Sequence, residues 1–328
     1  MRVRGMNYDT GAEMLRGRMS RPLFDTEAAR DELAAIAGEL HCDAVRISGQ
    51  DPDRLAVAAR IAHELGLAVY LSPVRGDLRE PEALAYLDST ATLAERLRDG
   101  GEVVFVAGLE ATLFQHGFIR GETTDDRLRT ASHPLRMIAG MVRTGDPQKR
   151  LNAYLRKAVE VVRSRFSGPV TYASGSWEQV DWTPFDLVGV NLYRSKKNRM
   201  SYPEKLRAYA RHGKPVVLTE FGCSTYRGAA DQGGMGWAVV DRDTTPPRLK
   251  PGIVRDESAQ AAELRELLDI YQTEAIDGAF VFTWASYNYP EDSRPGFDLD
   301  TAGYGVVAVD AEGRWRPKEA FTMLAGGG

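Results

Sequence analysis

Eight short apolar runs, separated by longer amphipathic stretches, leave this chain few folds to choose from. The runs are Val3–Tyr8, Ala44–Ser48, Ala68–Leu71, Val103–Ala107, Val170–Ala173, Leu187–Asn191, Val216–Thr219 and Ala279–Thr283. Most are continuously apolar rather than alternating, the pattern of parallel strands covered on both faces. The stretches between them carry helix signals. Asp51-Pro52 supplies an N-cap and a proline at the first helical position, and Leu55, Ala58, Ala62 and Leu65 keep helical spacing up to Gly66. Asp146-Pro147 repeats the device ahead of Leu151, Leu155, Ala158 and Val162, and Leu264, Leu267, Leu268 and Tyr271 share a face of the stretch from Glu257 to Tyr271. Eight strand–helix units predict an α/β protein folded as a (β/α)8 TIM barrel, with an open doubly wound sheet as the alternative. The tract Gly233-Gly234-Met235-Gly236 follows no strand and opens no helix, so it is not read as a nucleotide loop. Between strands 5 and 6, residues 173–186 leave little room for a helix, and the fifth crossover is expected to be degenerate.

The 328 residues suit one such barrel enlarged by insertions, read as a single catalytic domain over 1–328. Three connections are too long for simple turns: Leu109 to Gly145 after strand 4, Tyr226 to Asp256 after strand 7, and Ser286 to Tyr304 after strand 8. All leave the C-terminal ends of strands, where barrel enzymes build their sites. The formal net charge of −4 gives no field that would gather nucleic acid or an acidic membrane. No run reaches the roughly 18 apolar residues of a membrane helix, and Met1 to Asp9 does not read as a signal peptide. Cys42 and Cys223 adjoin apolar runs and are expected to be reduced core thiols. A soluble, cytoplasmic protein is the expectation.

Two acids close an apolar run. Residues 103–110 (VVFVAGLE) end in Glu110, and residues 215–222 (PVVLTEFG) deliver Glu220. A carboxylate at the end of a buried strand is costly unless it has a partner or a task. Paired carboxyls are what glycoside hydrolysis with retention needs: one ionised to attack the anomeric carbon, one protonated to release the leaving oxygen and later activate water.

Taken in order along the chain, these motifs resemble the clan A glycoside hydrolases, retaining (β/α)8 enzymes, and the resemblance runs over nearly the whole length. Leu218-Thr219-Glu220-Phe221-Gly222 is similar to the strand-7 nucleophile motif, and Val190-Asn191-Leu192-Tyr193 to the strand-6 motif whose tyrosine contacts the nucleophile. Arg46 resembles the strand-2 arginine that helps keep the nucleophile ionised, and Trp284 the strand-8 tryptophan that floors the sugar subsite. The resemblance implies Glu220 as nucleophile and Glu110 as acid/base, with Arg46, Asn191 and Tyr193 positioning Glu220. The clan's asparagine before the acid/base, which contacts the sugar 2-hydroxyl, is here Leu109. That departure sustains an alternative, a glycosidase-like barrel that only binds carbohydrate or a protein; a barrel lyase or isomerase is a third reading.

Further site candidates come from position alone. Asn7, Tyr8 and Asp9 end strand 1, Trp177 and Trp182 lie after strand 5, and Tyr287 and Trp237 lie on the long loops. Arg194, Lys196, Lys197 and Arg199 follow strand 6, where a cationic cluster would favour an acidic or phosphorylated sugar. His41, His63, His116, His133 and His212 show no metal-ligand spacing, and His116, six residues past Glu110, is the one nearest a site. The expected partner is a carbohydrate or glycoside, with no metal, no organic cofactor and no nucleic acid, and nothing sets an oligomeric state.

Overall fold

In the computed structural model, which describes residues 1–15, 17–133 and 145–326, eight parallel strands close a (β/α)8 barrel. In chain order they are Val3–Gly11, Ala44–Gly49, Ala68–Pro73, Val103–Leu109, Val170–Gly175, Val188–Asn191, Val216–Phe221 and Gly278–Val281. They are called strands 1 to 8 below, and they follow one another around the barrel, with strand 8 returning to strand 1. All six residues of strand 5 and all six of strand 7 are buried. Fully burying one Val, Leu or Ile contributes roughly 1.5–3 kcal/mol, so the continuous apolar runs are the main source of the barrel's cohesion.

The predicted helices form where their caps direct. Asp51 accepts hydrogen bonds from the amides of Asp53 and Arg54 and starts the helix Pro52–Glu64. Asp146 accepts from Gln148 and starts Pro147–Arg163, and Asp256 accepts from Ala259 to start Glu257–Thr273. No helix is formed among the described residues between Gly175 and Val188, so the fifth crossover is degenerate as expected. The insertions have structure of their own. Ala111–Phe114 and Thr124–Ala131 follow strand 4, and the rest of that connection lies partly outside the described residues. A 3-10 segment Ala229–Val239 and a small antiparallel pair, Val240–Asp241 with Arg248–Leu249, follow strand 7. Leu299–Ala302 and a second antiparallel pair, Val307–Val309 with Trp315–Pro317, follow strand 8.

By internal contact the chain divides into two compact units. One comprises Met1–Asp9, Glu32–Val45 and Leu192–Gly328. Its interior holds Tyr202, Tyr271 and Phe221, ring against ring. It is braced by a buried ionic network in which Lys318 and Arg255 both pair with Asp300. The other unit comprises Thr10–Asp31 and Arg46–Asn191. There the buried Arg127 ties the loop after strand 4 through Asp77, the Leu113 and Gly121 carbonyls and Thr124. Both cysteines are free, Cys223 buried and Cys42 half-buried, and burial pushes the Cys42 thiol up to about 12. Among the described residues no helix is long and apolar enough to cross a membrane.

Candidate active site

Glu220 is the fifth residue of strand 7 and only 8% exposed. Its Oε2 accepts a hydrogen bond of 2.9 Å from the Tyr193 hydroxyl. Tyr193 lies two residues past strand 6, and its ring is clamped edge-on by Phe282 and Tyr304, with centroids at 6.3 and 5.8 Å. The glycine tract 233–236 backs this clamp. A Cβ on Gly234 would stand 3.2 Å from the Tyr193 ring, and Gly233 has a φ of +55°. The Gly236 amide donates to the Tyr304 hydroxyl, which itself donates to the Gly233 carbonyl. The small residues thus let a loop backbone lie against two site aromatics.

Strand 1 contributes from below. Asn7 is buried, and its amide donates to the carbonyls of Thr219, Phe280 and Val281 at 3.0–3.2 Å. It ties strands 1, 7 and 8 together just beneath Glu220, and those N–H groups are committed to backbone rather than to a sugar. Tyr8, the next residue, points to the opposite face by strand alternation. It is fully buried and donates to Glu32 on the helix Thr26–Gly38, which corrects its reading as a pocket residue. Asp9 is half-buried.

Trp284 also needs correction. It has no solvent-exposed surface and packs against Trp315 and Phe321, so it offers no face to a sugar. The half-buried aromatic after strand 8 that packs on Tyr193 is Phe282, a residue that no sequence motif marked. Tyr287 and Trp237 are half-buried on their loops. Two of the four cations after strand 6 are paired. Arg194 is 3% exposed and doubly bonded to Glu263 and Glu266, and Arg199 pairs with Asp231. Only Lys196 and Lys197 of the four stand in solvent without a carboxylate among the described residues.

Glu110 directly follows strand 4, whose ladder shifts register between Val106 and Leu109. Its backbone is left-handed, φ 38° and ψ 49°, a conformation that costs a non-glycine residue about 1–3 kcal/mol and persists only where neighbours enforce it. The enforcing contacts are explicit. The Glu110 amide donates to the Ala173 carbonyl, and the Ala111 amide donates to the Tyr172 hydroxyl at 2.6 Å. Thr112 donates to Glu178 through both its amide and its hydroxyl. Glu178 also accepts from Tyr172 and from the Gly175 amide. Burial raises both the Glu178 carboxyl and the Tyr172 phenol above their ordinary ranges, even against the hydrogen bonds donated to Glu178. Neither residue was singled out from sequence; a tyrosine inside the apolar run 170–173 was the one available hint.

The Glu110 side chain accepts a hydrogen bond of 2.9 Å from the Asn191 amide. Asn191, expected to position Glu220, thus also reaches Glu110. Leu109 pairs with Ala173 in the strand ladder. Trp177 is 46% exposed and its indole N–H donates to Thr112, a rim position two residues from Glu110. Trp182 is buried against Phe185 and serves the core. Arg46 is buried on strand 2 and donates to Ser72 on strand 3. His116 is half-buried and lines a groove with Arg79, Phe118, Arg150 and Tyr154. Among the described residues no cluster of three or more His, Cys, Asp or Glu side chains is placed to hold a metal ion.

No family model matches the sequence, and no curated protein matches it. Solved structures do. A GH113 β-1,4-mannanase superposes with a TM-score of 0.65 at 15% identity, covering 99% of this chain and 98% of the mannanase. A GH113 β-mannanase from Alicyclobacillus acidocaldarius, in complex with ManMIm, gives 0.63 at 18%, over 98% and 96%. A family 1 β-glucosidase from Thermotoga maritima gives 0.58 at 12%, again over 98% and 96%. The structural neighbours are thus clan A (β/α)8 glycosidases, and at these identities the likeness is one of fold.

Proposed function

We propose that this chain is a retaining glycoside hydrolase or transglycosidase in which Glu220 is the nucleophile and Glu110 the acid/base. The observation that carries the reading is the hydrogen bond from Tyr193 to Glu220. A phenol O–H donated to a carboxylate fixes its orientation, which a nucleophile at a strand end requires. Glu110 closes strand 4 in a turn held by five surrounding hydrogen bonds, and rigid support of that kind suits a group that must hand a proton to a fixed oxygen. Glycosidase barrels among the structural neighbours add support at the level of fold.

In the proposed cycle, Glu220 attacks the anomeric carbon while Glu110 gives its proton to the departing oxygen. Glu110 then takes a proton from the incoming water or acceptor hydroxyl as the glycosyl–Glu220 ester is released. Asn191 orients Glu110, and Phe282 packs the wall beside Tyr193. The test uses aryl glycosides with a good leaving group. E220Q is expected to abolish turnover, and E110A to be slow but accelerated by azide, an anionic nucleophile that needs no general base and displaces the Glu220 carboxylate to give a glycosyl azide. Near wild-type turnover by E220Q overturns the reading, while a folded E110A without azide rescue removes Glu110 from its role.

A further inference from the structure

The loops that follow strands 7 and 8 meet around one cation. The Arg242 guanidinium lies over the Trp237 ring at 5.1 Å and over the Tyr289 ring at 5.8 Å, and it donates to the Tyr289 hydroxyl. Arg242 is half-buried, and among the described residues it forms no ion pair, although Asp241 and Asp243 flank it in sequence. Three further arginines drawn inward each meet a carboxylate: Arg127 that of Asp77, Arg194 that of Glu263 and Arg255 that of Asp300. Removing water from a guanidinium without supplying an anion is unfavourable, and two aromatic faces offset only part of that cost.

The position of this cation gives it a task. Trp237 directly follows Gly236, whose amide donates to the Tyr304 hydroxyl. Tyr304 packs on Tyr193, the donor to Glu220. The same tyrosine donates its amide to the Ser286 hydroxyl, and the Ser286 carbonyl receives the Tyr289 amide. Arg242 therefore stands a short chain of contacts outward from the Glu220 carboxylate, on the loops that rise from the C-terminal ends of the strands. Resting on the glycosidase reading above, we propose that Arg242 recognises a negative charge on the substrate, a uronic carboxylate or a sulfate ester on a sugar. A planar guanidinium held by stacking keeps its edge for two parallel hydrogen bonds to such an oxyanion, which a neutral hydroxymethyl group cannot form.

The experiment pairs 4-nitrophenyl hexosides with their hexuronides and 6-sulfates in the gluco, galacto and manno series, both anomers, so that members of a set differ only at carbon 6. In the series that is turned over, kcat/KM for one anionic member is expected to exceed the neutral one at least tenfold. In R242M that ratio should fall toward one, mainly through KM, with R242K recovering part of it; whichever anion is preferred identifies the charge. A wild-type preference for the neutral sugar, or an unchanged ratio in R242M, overturns the proposal and leaves Arg242 a clamp between loops. If no series is turned over, the glycosidase reading fails by itself. Calorimetric binding of the same hexuronides to wild type and R242M then decides the role of Arg242, with equal affinity counting against it.

Discussion

Glu178 shows how a side chain that touches no substrate can set a site. Four donors converge on its two oxygens: the Thr112 amide and hydroxyl on one, the Tyr172 hydroxyl and Gly175 amide on the other. Replacing it with glutamine turns one acceptor into an N–H2 group facing donors, which should destabilise the fold by about 2–3 kcal/mol. The pH dependence has a definite sign. Burial raises the folded-state pKa of Glu178, so between its unfolded value, about 4.3, and that raised value the folded chain binds more protons than the unfolded one. Wild-type stability from this group is therefore greatest below that window and declines as pH rises through it. Urea unfolding of wild type and E178Q at pH 5 and pH 8 is expected to show the larger gap at pH 5; a gap that widens toward pH 8 would contradict the assignment. None of this was legible in the sequence. A glutamate in a short loop looks like any solvated acid, and only the fold brings Thr112 and Tyr172 to it. The opposite happened at Glu220 and Tyr193, where local motifs on adjacent strands predicted a contact that the geometry contains.

At the scale of elements, strand positions were readable because buried parallel strands leave continuous apolar runs, and helix starts because Asp-Pro caps are local devices. Residues just beyond a strand end were harder to place. Strand 8 ends at Val281, and past that point strand alternation no longer says which aromatic turns inward, hence Phe282 rather than Trp284. The cluster after strand 6 misled for a related reason: charge spacing in a loop does not reveal a partner 69 residues away, such as Glu263 for Arg194. That pair joins the loop after strand 6 to the helix Glu257–Thr273. Breaking it leaves Glu263 buried and uncompensated, so R194M should lose about 3–5 kcal/mol. The double variant R194M/E263L should recover most of that loss, because both charges leave the interior together. Additive losses in chemical denaturation would show that the pair is not coupled and that Arg194 is held by Glu266 alone.

For the whole molecule, the proposal rests on what barrel closure does to two strand ends. Strands 4 and 7 are separated by strands 5 and 6 in the closed ring, and Glu110 and Glu220 stand at the C-terminal ends from which barrel enzymes work. A pair about 5–5.5 Å apart lets one carboxylate reach the anomeric carbon directly, whereas about 6.5–9.5 Å leaves room for a water between and inverts the centre. Double displacement therefore predicts that the first product released from an aryl glycoside keeps the anomeric configuration of the substrate. Proton NMR of the anomeric resonance within the first turnovers, before mutarotation, reads this directly. A 2-deoxy-2-fluoro glycosyl fluoride should in turn leave a covalent mass on the peptide that contains Glu220, since the 2-fluorine slows both steps while the anomeric fluoride, a good leaving group, restores formation of the ester but not its release. An inverted first product with no adduct would mean that the two acids act across a water, and the assignment of Glu220 as nucleophile would have to be given up even if both acids prove essential.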